Sequence, residues 1–350
     1  MTDWTAVNIY FSPGFHLSLT VLGTSNTVLC SFTIIIVFYN TPAKMRGYAA
    51  LLLNILIWNF IGDVYHGLIT QFEAIFPVPC MKLNGLAGFF KPSGDVTFAL
   101  GIVYFTIWAN SAVAAFLPLQ FRYLKIAYGQ KFSSVPKWVA CGYCILMHSA
   151  LSAIVIAAFY CSREEASVIK EALSAYPQVA SRIQDSDACV KMNKSNEKLV
   201  YLITIVVCTL TISMFTLLAL TIQLLNRQRN LISHKTYILQ KALTKNLIII
   251  TLLPVLLMFT PGLILGFAFS KAQSYSTQLA KIAEIWICFH GMVVCCVTLL
   301  VYKAYRRGTL KCLRRCVNWM MSTLKAKANS RVGIGGGRRT PSMNTVHEKY

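Results

Sequence analysis

At 350 residues the chain has the length of two or three soluble domains, yet 56% of its residues are apolar and only 13% are charged. Soluble domains carry about 25% charged residues, so with a mean hydropathy of +0.56 the expected solvent for much of this chain is lipid. A disordered chain, a coiled coil, a collagen and a small disulfide scaffold are excluded. The net charge of +21 would suit nucleic acid, but the charges sit in short segments between apolar runs, where membrane topology puts them.

A helix needs about 20 apolar residues to cross the hydrocarbon core. Seven runs qualify: Leu17–Tyr39, Tyr48–Thr70, Val96–Gln120, Trp138–Tyr160, Leu199–Leu225, Leu247–Phe269 and Leu279–Tyr302. The second carries Asn54, Asn59 and Asp63, and the seventh Glu284 and His290. Lipid leaves backbone groups without water, which favours helices; the alternating pattern of a membrane barrel and the internal repeats of many transporters are not seen. The predicted fold is an all-α seven-transmembrane bundle. Its parts are an extracellular N-terminus (1–16), the membrane domain (17–302), a basic amphipathic juxtamembrane helix (303–327) and a disordered cytosolic tail (328–350).

Orientation follows from basic residues, which favour the cytosolic side. With the N-terminus outside, the inner segments Asn40–Gly47, Phe121–Lys137, Asn226–Asn246 and Lys303–Tyr350 hold 23 of the 33 Lys and Arg residues and a single acid, Glu348. The predicted topology is therefore N-outside and C-inside. Met1–Phe15 contains Asp3 but no Lys or Arg, so a signal peptide is not evident. The sequon Asn193-Lys194-Ser195 falls in an outer loop, and Asn193 is the expected glycosylation site. Of twelve cysteines, Cys80, Cys161 and Cys189 lie on the outer side, where a disulfide can persist. A Cys80–Cys189 bridge, the expected pair, would pin the long second outer loop over the bundle mouth; Cys161–Cys189 is the competing pair.

Five short motifs stand out along the chain. They are Asn40-Thr41-Pro42-Ala43-Lys44-Met45, then Leu52-Leu53-Asn54-Ile55-Leu56-Ile57-Trp58 followed by Asp63, and Phe76-Pro77-Val78-Pro79-Cys80. Further along come Lys235-Thr236-Tyr237-Ile238-Leu239-Gln240-Lys241 leading to Pro254, and His290-Gly291 with Tyr302-Lys303-Ala304-Tyr305-Arg306. These motifs resemble those of nematode serpentine chemoreceptors of class H, or the closely related class I, and the similarity runs from about Ser12 to Arg306. It implies a G-protein-coupled chemosensory receptor that binds a small environmental or pheromone-like molecule and activates a heterotrimeric G protein. It also implies a multi-pass protein of the plasma membrane, by family resemblance the ciliary membrane of sensory neurons. The chain departs from the pattern where the third run ends: Leu119-Gln120-Phe121-Arg122-Tyr123 has Gln120 where the family has an acid.

Arg122 and Tyr123, at the inner end of the third run, are read as transducer-site residues, although a snorkelling arginine is the plainer reading of Arg122. Lacking an adjacent acid, Arg122 is expected to be weakly restrained, with some basal signalling. Asp63 stands at mid-depth, where a charge is costly and points to function; Asn26, His66 and His290 are its candidate polar neighbours. Pro254 and Pro261 are expected to interrupt the sixth run, Pro254 as a hinge. Ligand contact is assigned to Glu284 and to the aromatic wall of Tyr104, Phe105, Trp108, Phe259 and Trp286, which suits a small, largely neutral molecule. The third run has no acid to bind an amine there, and the middle of the seventh has no lysine for a retinal Schiff base.

After Tyr302 the residues Leu310, Leu313, Val317, Met320, Met321 and Leu324 fall at helical spacing among Lys311, Arg314 and Arg315. That pattern predicts a helix lying on anionic membrane lipid, with Cys312 and Cys316 as S-palmitoylation candidates. Zinc and hydrolase motifs are missing, and the Gly333–Gly337 stretch follows no predicted strand, so neither an enzyme, a cofactor nor a metal is expected, and nucleic acid is not a partner. A seven-helix ligand-gated channel or transporter is the alternative.

Overall fold

The computed structural model describes residues 4–76, 80–161, 174, 188–189, 194–230, 233–271 and 275–335. Among the described residues seven helices are long and apolar enough to cross a membrane: α1 Trp4–Asn40, α2 Arg46–Val64, α3 Gly94–Ser133, α4 Lys137–Cys161, α5 Lys194–Arg227, α6 His234–Lys271 and α7 Ser276–Val301. Their apolar spans of 23 to 36 residues reach about 34–54 Å at 1.5 Å per residue, enough for a hydrocarbon core of about 30 Å with some tilt. Exposed Phe38, Trp138, Ile145, Leu146, Ile212 and Leu300 would be untenable in water and face lipid without penalty. The chain is a multi-pass membrane protein.

The helices close into a bundle: α1 packs on α2 and α7, α2 on α3, α3 on α4 and α5, α5 on α6, and α6 on α7. The main core, including Cys30, Leu52, Leu56, Ala114 and Val294, lies among α1, α2, α3 and α7, with Ile250 of α6 and Tyr305, just beyond α7, packed into it. Hydrophobicity does not drive helices together in lipid, so close backbone approach and polar contacts matter more. Gly23 of α1 meets Gly67 backbone to backbone: a Cβ on Gly67 would lie 2.5 Å from the Gly23 Cα. Gly67→Ala is expected to cost about 1–3 kcal/mol by overpacking, whereas Gly47→Ala, where a Cβ meets nothing within 4 Å, is expected to be near neutral. Thermal unfolding in detergent checks the pair; equal melting temperatures would refute the crossing.

Polar contacts fasten α2, α3 and α4. Asn54 Nδ2 lies 3.2 Å from His148 Nε2, His148 Nδ1 2.6 Å from Asn110 Oδ1, and Asn110 Nδ2 donates to Ser152 Oγ at 2.8 Å. Trp58 stacks on the His148 ring at 5.3 Å.

At one end of the bundle α2 widens into a π-helical turn, Tyr65–Thr70, and stops at Gln71 with φ 39. A non-glycine residue there is strained. Hydrogen bonds hold it: Gln71 N–H to the His66 carbonyl at 3.1 Å, and Nε2 to the Gly67 carbonyl at 2.7 Å and to Thr20 Oγ1 at 2.8 Å. The chain then forms the antiparallel hairpin β1 Phe72–Ile75 and β2 Cys80–Leu83, joined on the β2 edge by the two-residue strand β3, Ala188–Cys189. Cys80 is disulfide-bonded, and its register partner in β3 is Cys189.

Several elements depart from expectation. α1 begins at Trp4 rather than near residue 17. α3 runs past its apolar end and kinks at Gly129, whose φ of 49 only glycine adopts freely. Neither Pro254 nor Pro261 interrupts α6, since a spanning helix tolerates the lost donor when its neighbours compensate. The last helix, α8 Lys303–Gly335, runs on beyond the expected end at 327, so residues up to 335 are helical where a disordered tail was expected.

Candidate functional site

Midway along the bundle a cavity of about 30 Å³ is lined by Asn59, Gly62, Asp63, His66, Trp108, Ser111, Met258, Ile287, Cys288 and His290. Helices α2, α3, α6 and α7 all contribute. The π turn carries His66, which is 3% exposed and packs on the Tyr104 ring at 5.1 Å. Asp63 Oδ1 accepts from Asn26 Nδ2 at 3.3 Å, and the same amide donates to the Cys288 carbonyl. Asp63 lies against α7, because a Cβ on Gly291 would come 2.5 Å from its Oδ2. Of the neighbours expected for Asp63, Asn26 bonds it directly, and His66 and His290 share its cavity.

The aromatic residues divide. Trp108 lines the cavity; Tyr104 is buried among His66, Phe72, Phe105 and Trp108. Phe105 instead stacks on Phe159 of α4 at 4.6 Å. Trp286 is 39% exposed, one residue before Ile287, and a residue step of about 100° around the helix turns it off the cavity. Glu284 is 6% exposed, and its Oε2 has no hydrogen-bond partner. The side chains of Phe259 and Pro254, and residue Asn193, lie outside what the structure describes.

Above the cavity, toward the hairpin, stands a cluster that sequence reasoning missed. Glu73 of β1 pairs with Lys281 of α7 at 2.6 Å and with His16 of α1 at 3.3 Å, and accepts from Asn84 Nδ2 at 3.2 Å. Burial alone would raise the Glu73 carboxyl; His16 and Lys281 outweigh it and hold it at about 2. Lys281 also lies 5.5 Å from the centre of the Phe15 ring, and Thr277 Oγ1 accepts from the Phe76 amide at 3.1 Å. The hairpin is thus tied to both α1 and α7. The available signal was a lysine inside a predicted apolar run, three residues before Glu284.

At the far end, Arg122 is not weakly held. Its guanidinium donates to the Gln240 carbonyl at 2.8 Å, to Gln240 Oε1 at 2.7 Å and to Thr244 Oγ1 at 3.1 Å, all on α6. The restraint expected from a neighbouring acid comes from α6 instead. Gln120 hydrogen-bonds Tyr143 of α4 at 2.6 Å, Tyr123 is half-buried, and Tyr48 and Tyr302 share a hydrogen bond of 2.5 Å. On α8, Leu310, Leu313, Val317, Met320, Met321 and Leu324 are exposed, as is Cys316, while Cys312 is half-buried.

A bundle of seven spanning helices with an arginine clasp at the end of α3 has the form of a serpentine receptor. The profile of the family described as serpentine type 7TM GPCR chemoreceptor Srh matches residues 12–315. The chain belongs to the Srh family. The Srh match takes in all seven spans and the start of α8, and it is a match to a family of receptors rather than of enzymes. No curated protein matches the chain. Among the described residues no group of three or more His, Cys, Asp or Glu is arranged to hold a metal ion.

Proposed function

We propose that the chain is a chemosensory receptor that binds a small environmental or pheromone-like molecule and activates a heterotrimeric G protein. The supporting observation is that α3 and α6 meet twice. They line the cavity through Trp108, Ser111 and Met258, and they are clasped at Arg122, Gln240 and Thr244. Trp108 and Arg122, like Met258 and Thr244, stand about 21 Å apart along their helices. A ligand that binds the unclasped form better than the clasped form shifts the population toward it. Tyr104, Trp108 and Glu284 are the proposed ligand contacts, with Phe259 on α6. Arg122, Tyr123 and Asp63 are the proposed transduction residues, with Pro254 as the hinge. The seat is the plasma membrane, by family resemblance that of sensory cilia.

The test is a screen of small molecules on the expressed chain with a G-protein reporter. An agonist response that disappears in Arg122→Ala, at matched surface level and with affinity for the uncoupled form retained, supports this reading. A wild-type response in Arg122→Ala overturns the transducer assignment; ligand-gated current in excised membrane without a G protein favours a channel.

We further propose that the N-terminus, Asn193 and the hairpin lie outside and α8 inside, with α8 lying on anionic lipid and carrying acyl groups at Cys312 and Cys316. The pair Cys80–Cys189 is the proposed outer disulfide, supported by their facing positions in the ladder. Glycosidase is expected to shift the mobility of wild type but not of Asn193→Gln. Staining of a C-terminal epitope on unpermeabilised cells would overturn the orientation.

A further inference from the structure

We infer that the cavity beneath Tyr104 is a binding site for the protonated head of a small organic amine. The inference rests on the receptor reading for its biological meaning, but not for its chemistry. The cavity holds an acid, Asp63, whose Oδ2 is buried without a hydrogen-bond partner, and a histidine, His66, that is 3% exposed and whose ring hydrogen-bonds the Glu284 backbone. A neutral imidazole has one donor and one acceptor nitrogen, so a ring that donates to the Glu284 backbone keeps its other nitrogen as an acceptor. One turn along α7, Glu284 Oε2 is a further buried acceptor without a partner, and Asn26 Oδ1 beside Asp63 is another. The unpartnered donor on the wall is Asn59 Nδ2. The excess is of acceptors.

Charge points the same way. Among the described residues no lysine or arginine lines the cavity, and Lys281 is committed to Glu73 at 2.6 Å. An acid at this depth is costly unless it is paired, and the single amide bond from Asn26 does not neutralise it. An alkylammonium supplies one positive charge and three donors in a compact head, which a hydroxyl or carbonyl does not. The size agrees, since a volume of about 30 Å³ suits a head group or a water or two rather than a whole ligand. The apolar chain would run along Trp108, Met258 and Ile287. Sequence reading looked for an amine-binding acid on the third helix; the fold supplies it from α2.

The experiment uses the full chain purified in detergent at neutral pH and follows its thermal unfolding with butylamine, hexylamine and octylamine, and with alcohols and carboxylates of the same chain lengths. Amines are expected to stabilise wild type at about ten- to a hundredfold lower concentration than the matching alcohols, the difference of a charge-assisted hydrogen bond. Asp63→Asn is expected to abolish that preference. Equal effects of amine and alcohol on wild type overturn the site, whether or not the variant folds, and leave water as its occupant; so does an undiminished amine preference in Asp63→Asn. Amines that bind with the stated preference but evoke no G-protein response leave the site standing and defeat the receptor reading. A G-protein response to other compounds with no amine preference in binding does the reverse.

Discussion

Lys281→Ala is expected to be among the most destabilising single substitutions outside the apolar core. It leaves the Glu73 carboxylate buried in the hairpin without its closest cation, with His16 and Asn84 among its remaining partners. Breaking a buried pair from one side costs about 3–5 kcal/mol, which for a chain of this length lowers the melting temperature by roughly 5 °C. The double variant Lys281→Met with Glu73→Gln is expected to recover most of the loss, because the dominant penalty is an uncompensated charge. Acid titration supplies an independent check. Glu73 is held at about 2 against an ordinary value of 4.5, so its contribution is fully present above pH 4.5 and is lost as pH falls toward 2. Hydrogen exchange in β1 that is unchanged in Lys281→Ala would show that the pair does not hold the hairpin.

The second large effect is expected at the other end of the bundle. Replacing both Gln240 and Thr244 by alanine removes the side-chain acceptors that hold Arg122 against α6. Hydrogen bonds to a charged donor contribute about 1.5–3 kcal/mol, so the ratio of open to clasped forms is expected to rise about ten- to a hundredfold. The readout is ligand-free G-protein activation at matched surface level, and basal signalling should increase. Unchanged basal activity would mean that the clasp does not restrain the resting form. This reverses the expectation drawn from Gln120: the missing acid does not leave Arg122 loose, because α6 holds it.

Much of this was legible locally. The length of an apolar run is set by the thickness of the bilayer, so each spanning helix could be read from its own residues, and Asp63 stood out because a charge at that depth needs a reason. Arg122 was recognisable at the end of its run. The partners were not. Gln240 and Thr244 are ordinary helix residues until α6 lies beside α3, and Glu73 is an ordinary loop acid until the hairpin folds down onto α7. The same holds for Trp286, which is as aromatic as Trp108 but faces outward.

The sequence by itself therefore determined that this is a seven-helix membrane protein with an acid in its second helix and an arginine closing its third, since both follow from burial and charge along one chain segment. Which side chains meet was decided only by the tertiary structure. It depends on the rotation and depth of each helix against its neighbours, and those are set by close approaches such as Gly23 on Gly67 and Gly291 on Asp63. The π turn adds a further rotation after Val64. The rotation of that turn decides whether His66 faces lipid or the cavity it shares with Asp63.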